Sequence, residues 1–387
     1  MLLPNLEFFG LAMPAMQALQ QAGEPQKRQE TSLKKFAIPM ALCGLALNAV
    51  AQSSVTLYGV LDTTVQRASQ GSASITRVYG TGGNQYSRLG VRGTEDLGGG
   101  LSAGFVLDAG LNIASGIGGA ASTDNATAGT AGGLVFNRRA SLSLISRDWG
   151  EVRVGRGFVP SYWNLIVFDP FGTAGAGGII NTAQSALTQV ATVQTAVRAS
   201  NSVGYFLPEL NGVYGELMKA SNNAPSNSTT PDNGNYQGIR LGYARDALNV
   251  AVASGRTALA NGAVSASNVG ASYVIGPVTA SALYFADRKN AVAGPNRSNG
   301  WMLGAQVKVA TGYIPVSLSK ISDNSASGRS AQQLAVGYVH ELSKRTAVYG
   351  TYSQIRNRNG AALSGGGVTG VANATWTGMD FGIRHSF

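Results

Sequence analysis

The 387-residue sequence is short of charge, of cysteine and of histidine. Charged side chains make up 12% of it, about half the roughly 25% of ordinary soluble domains. A single cysteine excludes a disulfide framework and any cysteine-cluster metal centre. Two histidines leave little for imidazole ligation or acid–base work, so neither a metal nor a cofactor is expected. With 12 prolines, this is not a proline-rich linker protein. Beyond Ala51 no stretch approaches the ~18 apolar residues that a membrane helix needs. What the sequence does have is glycine, 52 residues without the triplet period of collagen. Basic residues outnumber acidic ones 29 to 19, a net charge of +10, which points to an anionic partner without saying which kind.

The front of the chain carries a processing signal. Lys34 and Lys35 precede the apolar run from Phe36, which ends on the small-x-small triplet Ala49-Val50-Ala51. Basic, apolar and small-residue regions in that order make a secretory signal peptide over 31–51, cleaved after Ala51. Pro39, Asn48 and the shortness of the run count against a transmembrane helix. Leu42 is too large for a lipoprotein cleavage site before Cys43, which is then an ordinary residue of the apolar region. Residues 1–30 stand upstream of where such a signal begins, and are expected to reflect start-site choice. The mature domain is then 52–387, and loss of the first 51 residues, with four bases and three acids, leaves it at +9.

Alternation with period 2 recurs throughout that domain. Val55, Leu57 and Leu61 share one face against Tyr58 and Asp62. Leu101, Ala103, Phe105 and Leu107 alternate with Ser102, Gly104 and Asp108, and Ala140, Leu142 and Leu144 with Arg139, Ser141 and Ser143. Sixteen such segments start near residues 55, 87, 101, 135, 151, 198, 213, 235, 248, 266, 278, 298, 313, 330, 345 and 375. Their connections alternate between short turns, such as Leu97–Gly100 and Asp148–Gly150, and long Gly/Ser/Asn/Thr loops near 68–86, 115–134, 221–234 and 358–374. Short turns at one end and long loops at the other are the pattern of an outer-membrane barrel. A soluble β-sandwich also alternates, but its exposed face normally carries many Lys and Glu. Here the polar face is Gly, Ser, Asn, Gln and Arg. The expected fold is therefore all-β, a 16-stranded antiparallel transmembrane β-barrel.

The chain ends on an amphipathic strand with Met379, Phe381, Ile383 and His385 on one face and Asp380, Gly382, Arg384 and Ser386 on the other. The last strand must pair with the first, because a barrel in lipid tolerates no open edge. A terminal Phe387 on such a strand looks like the signal read by the outer-membrane assembly machinery.

Six stretches, in order from end to end, resemble the general diffusion porins of β-proteobacteria, the Gram-negative trimeric porin family. They are Ser54–Asp62, Ser87–Leu101, Asp169–Gly172, Asn201–Val203, Leu342–Thr346 and Gly382–Phe387. The resemblance implies a homotrimer in the outer membrane, in contact with its lipid and lipopolysaccharide, that passes small hydrophilic solutes. It also implies that the aperiodic stretch 158–197, which follows the fifth strand, folds into the lumen as a constriction loop. An external flap is the other placement for so long a loop.

Porins of this family set an acidic loop against a wall of arginines. In this loop Asp169 is the only acid. On the wall Arg88 and Arg92 share the face opposite Leu89 and Val91, and Arg139, Arg153 and Arg198 fall on lumen parity in later strands. Tyr58, Asp62, Asp108 and Arg384 also face inward, as lining or bracing residues. Rings of guanidinium groups favour anions, so small anionic or neutral solutes are the expected cargo. A substrate-specific channel or a surface adhesin on a barrel scaffold is the alternative. A barrel enzyme is not expected, because His340 and His385 share faces with outward apolar residues. Nucleic-acid binding is not expected either, since the arginines are spread over many strands rather than gathered with aromatics. The glycine cluster at 172–178 lacks the lysine of a phosphate loop.

Overall fold

A computed structural model describes residues 54–129, 132–184, 193–290 and 297–387. The leader, the cleavage site at Ala49 and Ala51 and the 1–30 extension lie outside these residues.

The described chain is almost entirely strand: β1 Ser54–Gln70, β2 Ala73–Tyr79, β3 Arg88–Gly98, β4 Leu101–Asn112, β5 Ile117–Gly118, β6 Arg139–Ser146, β7 Gly150–Phe158, β8 Arg198–Phe206 and β9 Val213–Ala220. It continues through β10 Tyr236–Arg245, β11 Leu248–Leu259, β12 Gly262–Ile275, β13 Val278–Asn290, β14 Arg297–Val309, β15 Gly312–Asp323, β16 Ser330–Glu341, β17 Thr346–Arg358 and β18 Trp376–Ser386. Two short helices, α1 Pro160–Phe168 and α2 Ile180–Ala183, fall between β7 and β8. Setting aside β2 and the two-residue β5, sixteen strands form one antiparallel sheet, and β1 pairs with both β3 and β18 so that the sheet closes. Closure satisfies every edge, which a sheet in hydrocarbon requires.

At the seam, Phe387 and Gly59 exchange both backbone hydrogen bonds at 3.1 Å. A Cβ on Gly59 would meet the Phe387 ring at 2.4 Å, so glycine lets the terminal ring lie flat on the first strand.

The pleat sorts the side chains. Val55, Leu57, Leu142 and Phe381 point outward and are more than 60% exposed, a burial that lipid supplies. Their neighbours Tyr58, Asp62, Ser141, Asp380 and Arg384 point inward. The turns explain much of the glycine. Gly98, Gly99 and Gly100 all take positive φ between β3 and β4, and Asn211-Gly212 does so between β8 and β9.

One expected loop is partly strand. Residues 73–79, within the loop expected over 68–86, form β2 and pair with the upper half of β1 from Gln70↔Ala73 to Thr64↔Tyr79. This hairpin leaves Ala73, Ser74, Ile75 and Thr76 all exposed, and its apolar Ile75 and Val78 fall on opposite parities, so no apolar–polar alternation announces it. β5 lies similarly inside the loop expected over 115–134 and pairs with the end of β4.

Candidate functional site

The segment between β7 and β8 enters the barrel. Pro160 opens α1 at its first turn, where the missing N–H costs nothing. Seven of the nine residues of α1 are buried, although the helix is not one-sided in sequence, because it is covered by the wall on one side and by its own loop on the other.

Polar ties run along the wall from β10 to β18. Arg240 donates from Nε to Asn164 Oδ1 at 2.6 Å, and Asn164 donates to the Ala251 carbonyl at 3.3 Å. Asn268 holds the Ser161 carbonyl at 2.9 Å, Gln306 the Pro170 carbonyl at 2.5 Å, and Gln333 the Ala176 carbonyl at 3.1 Å. The Ala176 N–H reaches Asp380 Oδ2 at 2.8 Å, and Thr182 meets Ser319 at 3.2 Å. From the side of β3, Tyr86 donates its hydroxyl to the Thr173 carbonyl at 2.6 Å.

Asp169 does not face the open lumen. Oδ1 accepts from the Phe171 N–H at 3.0 Å, and Oδ2 accepts from Thr173 and Ile179 N–H at 2.8 Å each. The carboxylate therefore staples the loop's own turn. Burial pushes its carboxyl up to about 6, against the opposing pull of those three N–H donors.

Across from the loop stands a basic wall on β3, β4, β6, β7 and the start of β8. Tyr58, Gly90, Asp108 and Arg139 occupy one ladder row across β1, β3, β4 and β6. Gly90 leaves the space for the Tyr58 ring, which a Cβ would meet at 2.4 Å. Arg92 lies over that ring at 5.4 Å, and Arg88 donates to the Tyr86 carbonyl at 3.1 Å. Arg139 donates to Ser141 at 2.9 Å. Arg153 grips Glu151 with two bonds of 2.8 and 2.9 Å and lies 3.9 Å over Phe206. Arg198 sits 4.3 Å over Phe158.

The structure thus gathers Tyr58, Arg88, Arg92, Asp108, Arg139, Arg153 and Arg198 on one wall. Asp62 and Arg384 go elsewhere. Asp62 is fully buried and accepts from Gly83, Asn84 and Gln85 N–H and from the Tyr349 hydroxyl, so it braces the loop before β3. Arg384 donates to the Asn84 side chain at 2.6 Å within the same brace.

Several wall residues escaped sequence reasoning. Arg138 pairs with Asp108 at 3.6 Å, but it precedes β6, where strand parity is undefined. Arg156 reaches the Asn137 carbonyl at 2.6 Å and Ser200 at 2.7 Å beside a register shift at Gly155–Gly157. Glu151 lies on the same inward parity as Arg153, and that signal was available.

A closed sixteen-stranded barrel with long loops at one end and an inward-folded loop defines an outer-membrane diffusion channel. Comparison with protein families matches residues 39–360 to the Gram-negative porin family, and the chain belongs to that family. It is 34% identical over 369 residues to outer membrane porin protein 32 of Delftia acidovorans, covering 92% of this chain and 100% of that protein. An outer membrane porin protein of Bordetella pertussis is 27% identical over 415 residues, with the same coverage. Among solved structures, the anion-selective porin from Comamonas acidovorans superposes with a TM-score of 0.74 at 31% identity, over 87% of this chain and 100% of that one. The trimer form of OmpT from Vibrio cholerae gives 0.59 at 15% identity, over 87% and 99% of the two chains, a likeness of fold alone.

Proposed function

We propose that this outer-membrane porin is an anion-preferring, water-filled channel for passive diffusion of small hydrophilic solutes, and that it works as a homotrimer. The observation that carries the preference is the wall bearing Arg88, Arg92, Arg138, Arg139, Arg153 and Arg198, which faces a loop whose single carboxylate is spent on its own backbone. Asp108 and Glu151 neutralise part of that wall and leave a cationic surplus. A solute passing between them therefore meets fixed, permanently charged donors on one side and, on the other, an otherwise uncharged loop whose partly exposed side chains include Trp163, Val167 and Ile180. The anion selectivity of the Comamonas porin supports the same assignment. The homotrimer is what the resemblance of the six sequence stretches to the trimeric porin family implies. Lipopolysaccharide and the assembly machinery are its further expected partners, the latter through the Phe387 seam.

No catalytic role is assigned. His340 bonds to Thr311 and Tyr338, and His385 to Thr346, all at the outer surface near the short turns.

Reversal potentials across a salt gradient in planar bilayers test the proposal. Chloride is expected to outrun potassium, and serine at both Arg88 and Arg139 is expected to lower the permeability ratio roughly two-fold or more. A cation-selective wild type sinks the assignment. Current that saturates with one solute would point to a substrate-specific channel, and absence of current to an adhesin.

A further inference from the structure

Some of the basic residues cannot serve the lumen, because the pleat turns them outward. Lys219, Gln237, Arg256, Ser265, Arg288 and Arg297 are register partners in sequence across β9 to β14, one side chain from each of six neighbouring strands. All four bases in the row are exposed. Each lies within four residues of the long-loop end of its strand, the extracellular end of a porin. On the next strands Lys320, Gln332 and Arg356 continue an outward row near the same end.

Two features set this surface apart from incidental charge. Arg288 and Arg297 stand directly opposite each other, an arrangement of like charges that destabilises a sheet unless something shares an anion between them. Among the described residues, no outward-facing strand residue in the long-loop half is an acid, and none of the four bases forms an ion pair. The short-turn end is different. There Arg245 pairs with Asp246 at 3.9 Å, and Glu95, Asp96, Asp148 and Glu209 mix with Arg147 and Arg345.

We propose that the row Lys219–Arg256–Arg288–Arg297 is a binding site for the phosphate groups of lipopolysaccharide in the outer leaflet. Guanidinium forks match phosphate oxygens two by two, and a single phosphate between Arg288 and Arg297 removes their repulsion. Gln237 and Ser265 fill the gaps in the row with neutral hydrogen-bonding groups suited to a sugar phosphate. Clustered bases beside a lipid-facing apolar band are the general signature of anionic headgroup recognition. The inference gives a location to the lipopolysaccharide contact proposed above and is independent of the pore's ion preference.

The test compares the full barrel with three variants: Arg256→Ser/Arg288→Ser/Arg297→Ser, the corresponding triple lysine, and a short-turn control, Arg147→Ser/Arg245→Ser/Arg345→Ser. Native mass spectrometry after extraction counts lipopolysaccharide per barrel. Heat-modifiable gel mobility verifies folding, and bilayer recordings give conductance and reversal potential. The serine triple is expected to retain about five-fold less lipopolysaccharide or lower, with the lysine triple, which keeps the charge but loses the fork, between it and wild type, and with conductance unchanged. Wild-type barrels are expected to bind vesicles of phosphorylated lipid A and to ignore vesicles in which its phosphates have been removed. Wild-type lipopolysaccharide content in the serine triple overturns the proposal. So does an equal loss in the short-turn control, or equal binding of the dephosphorylated lipid. A failure of the anion preference appears only in the reversal potentials, so the two outcomes separate.

Discussion

At the scale of the residue, parity identifies which side chains face water but not what they do there. Asp62, Asp108 and Asp169 are alike in the sequence as isolated acids. In the structure Asp62 is consumed by three N–H groups and a tyrosine hydroxyl, Asp108 meets Arg138, and Asp169 closes a turn. Removing Asp169 as alanine strands three buried N–H donors, each worth about 1–3 kcal/mol when unsatisfied. The expected result is a mobile constriction, seen as greater open-channel noise and more subconductance steps in single-channel records. Its titration has a definite sign. The folded carboxyl stands at about 6, above its ordinary value, so the docked loop favours the protonated form. That stabilisation is complete below the ordinary carboxylate value of ~3.9 and is lost as pH rises through about 6. Open-channel noise is therefore expected to rise between pH 4 and 7, and Asp169→Asn, which cannot ionise, is expected to flatten the change.

At the scale of the element, strands and the loop behave differently. Strand starts such as Leu101, Val278 and Ser330 coincide with the sequence expectation because pleat and turn are local properties. The hairpin strand β2 was illegible because its apolar Ile75 and Val78 fall on opposite parities and leave it without a period-2 signal. The seam between β1 and β18 was legible from Phe387, but the Gly59 partner was not, since register across a closed barrel is a non-local fact. Deleting Phe387 removes both backbone bonds to Gly59 and the ring that covers it. Slower formation of the heat-resistant barrel is expected on refolding into detergent, while barrels that do close should conduct normally. Wild-type refolding kinetics for that deletion would remove the seam from any role in closure.

At the scale of the whole molecule, the sparse charge is partitioned by surface. Apolar side chains hold the lipid face, arginines line one lumen wall, and a second set of bases rims the outer surface at the loop end. Selectivity set by fixed charges on a water-filled wall must weaken as salt screens them. The Debye length falls from ~10 Å at 0.1 M to ~3 Å at 1 M. The ratio of anion to cation permeability is therefore expected to shrink toward unity over that range, as followed by reversal potentials at constant gradient. A ratio that stays constant would assign selectivity to direct ligation at a site rather than to the field of the wall.

The barrel is legible in local sequence. Period-2 alternation, glycine-rich turns and an aromatic terminus are each written within a few residues, and together they leave a closed sheet in lipid as the stable arrangement. Local sequence also placed Arg88, Arg92, Arg139 and Arg153 on the water side, since parity follows from the pleat. Folding in three dimensions sets which acids neutralise those arginines, turns Asp169 to the loop rather than the lumen, and brings Lys219, Arg256, Arg288 and Arg297 into one row. The reason is physical: the pleat is set by neighbours along the chain, whereas register and loop docking are set by hydrogen bonds between residues as far apart as Ala176 and Asp380.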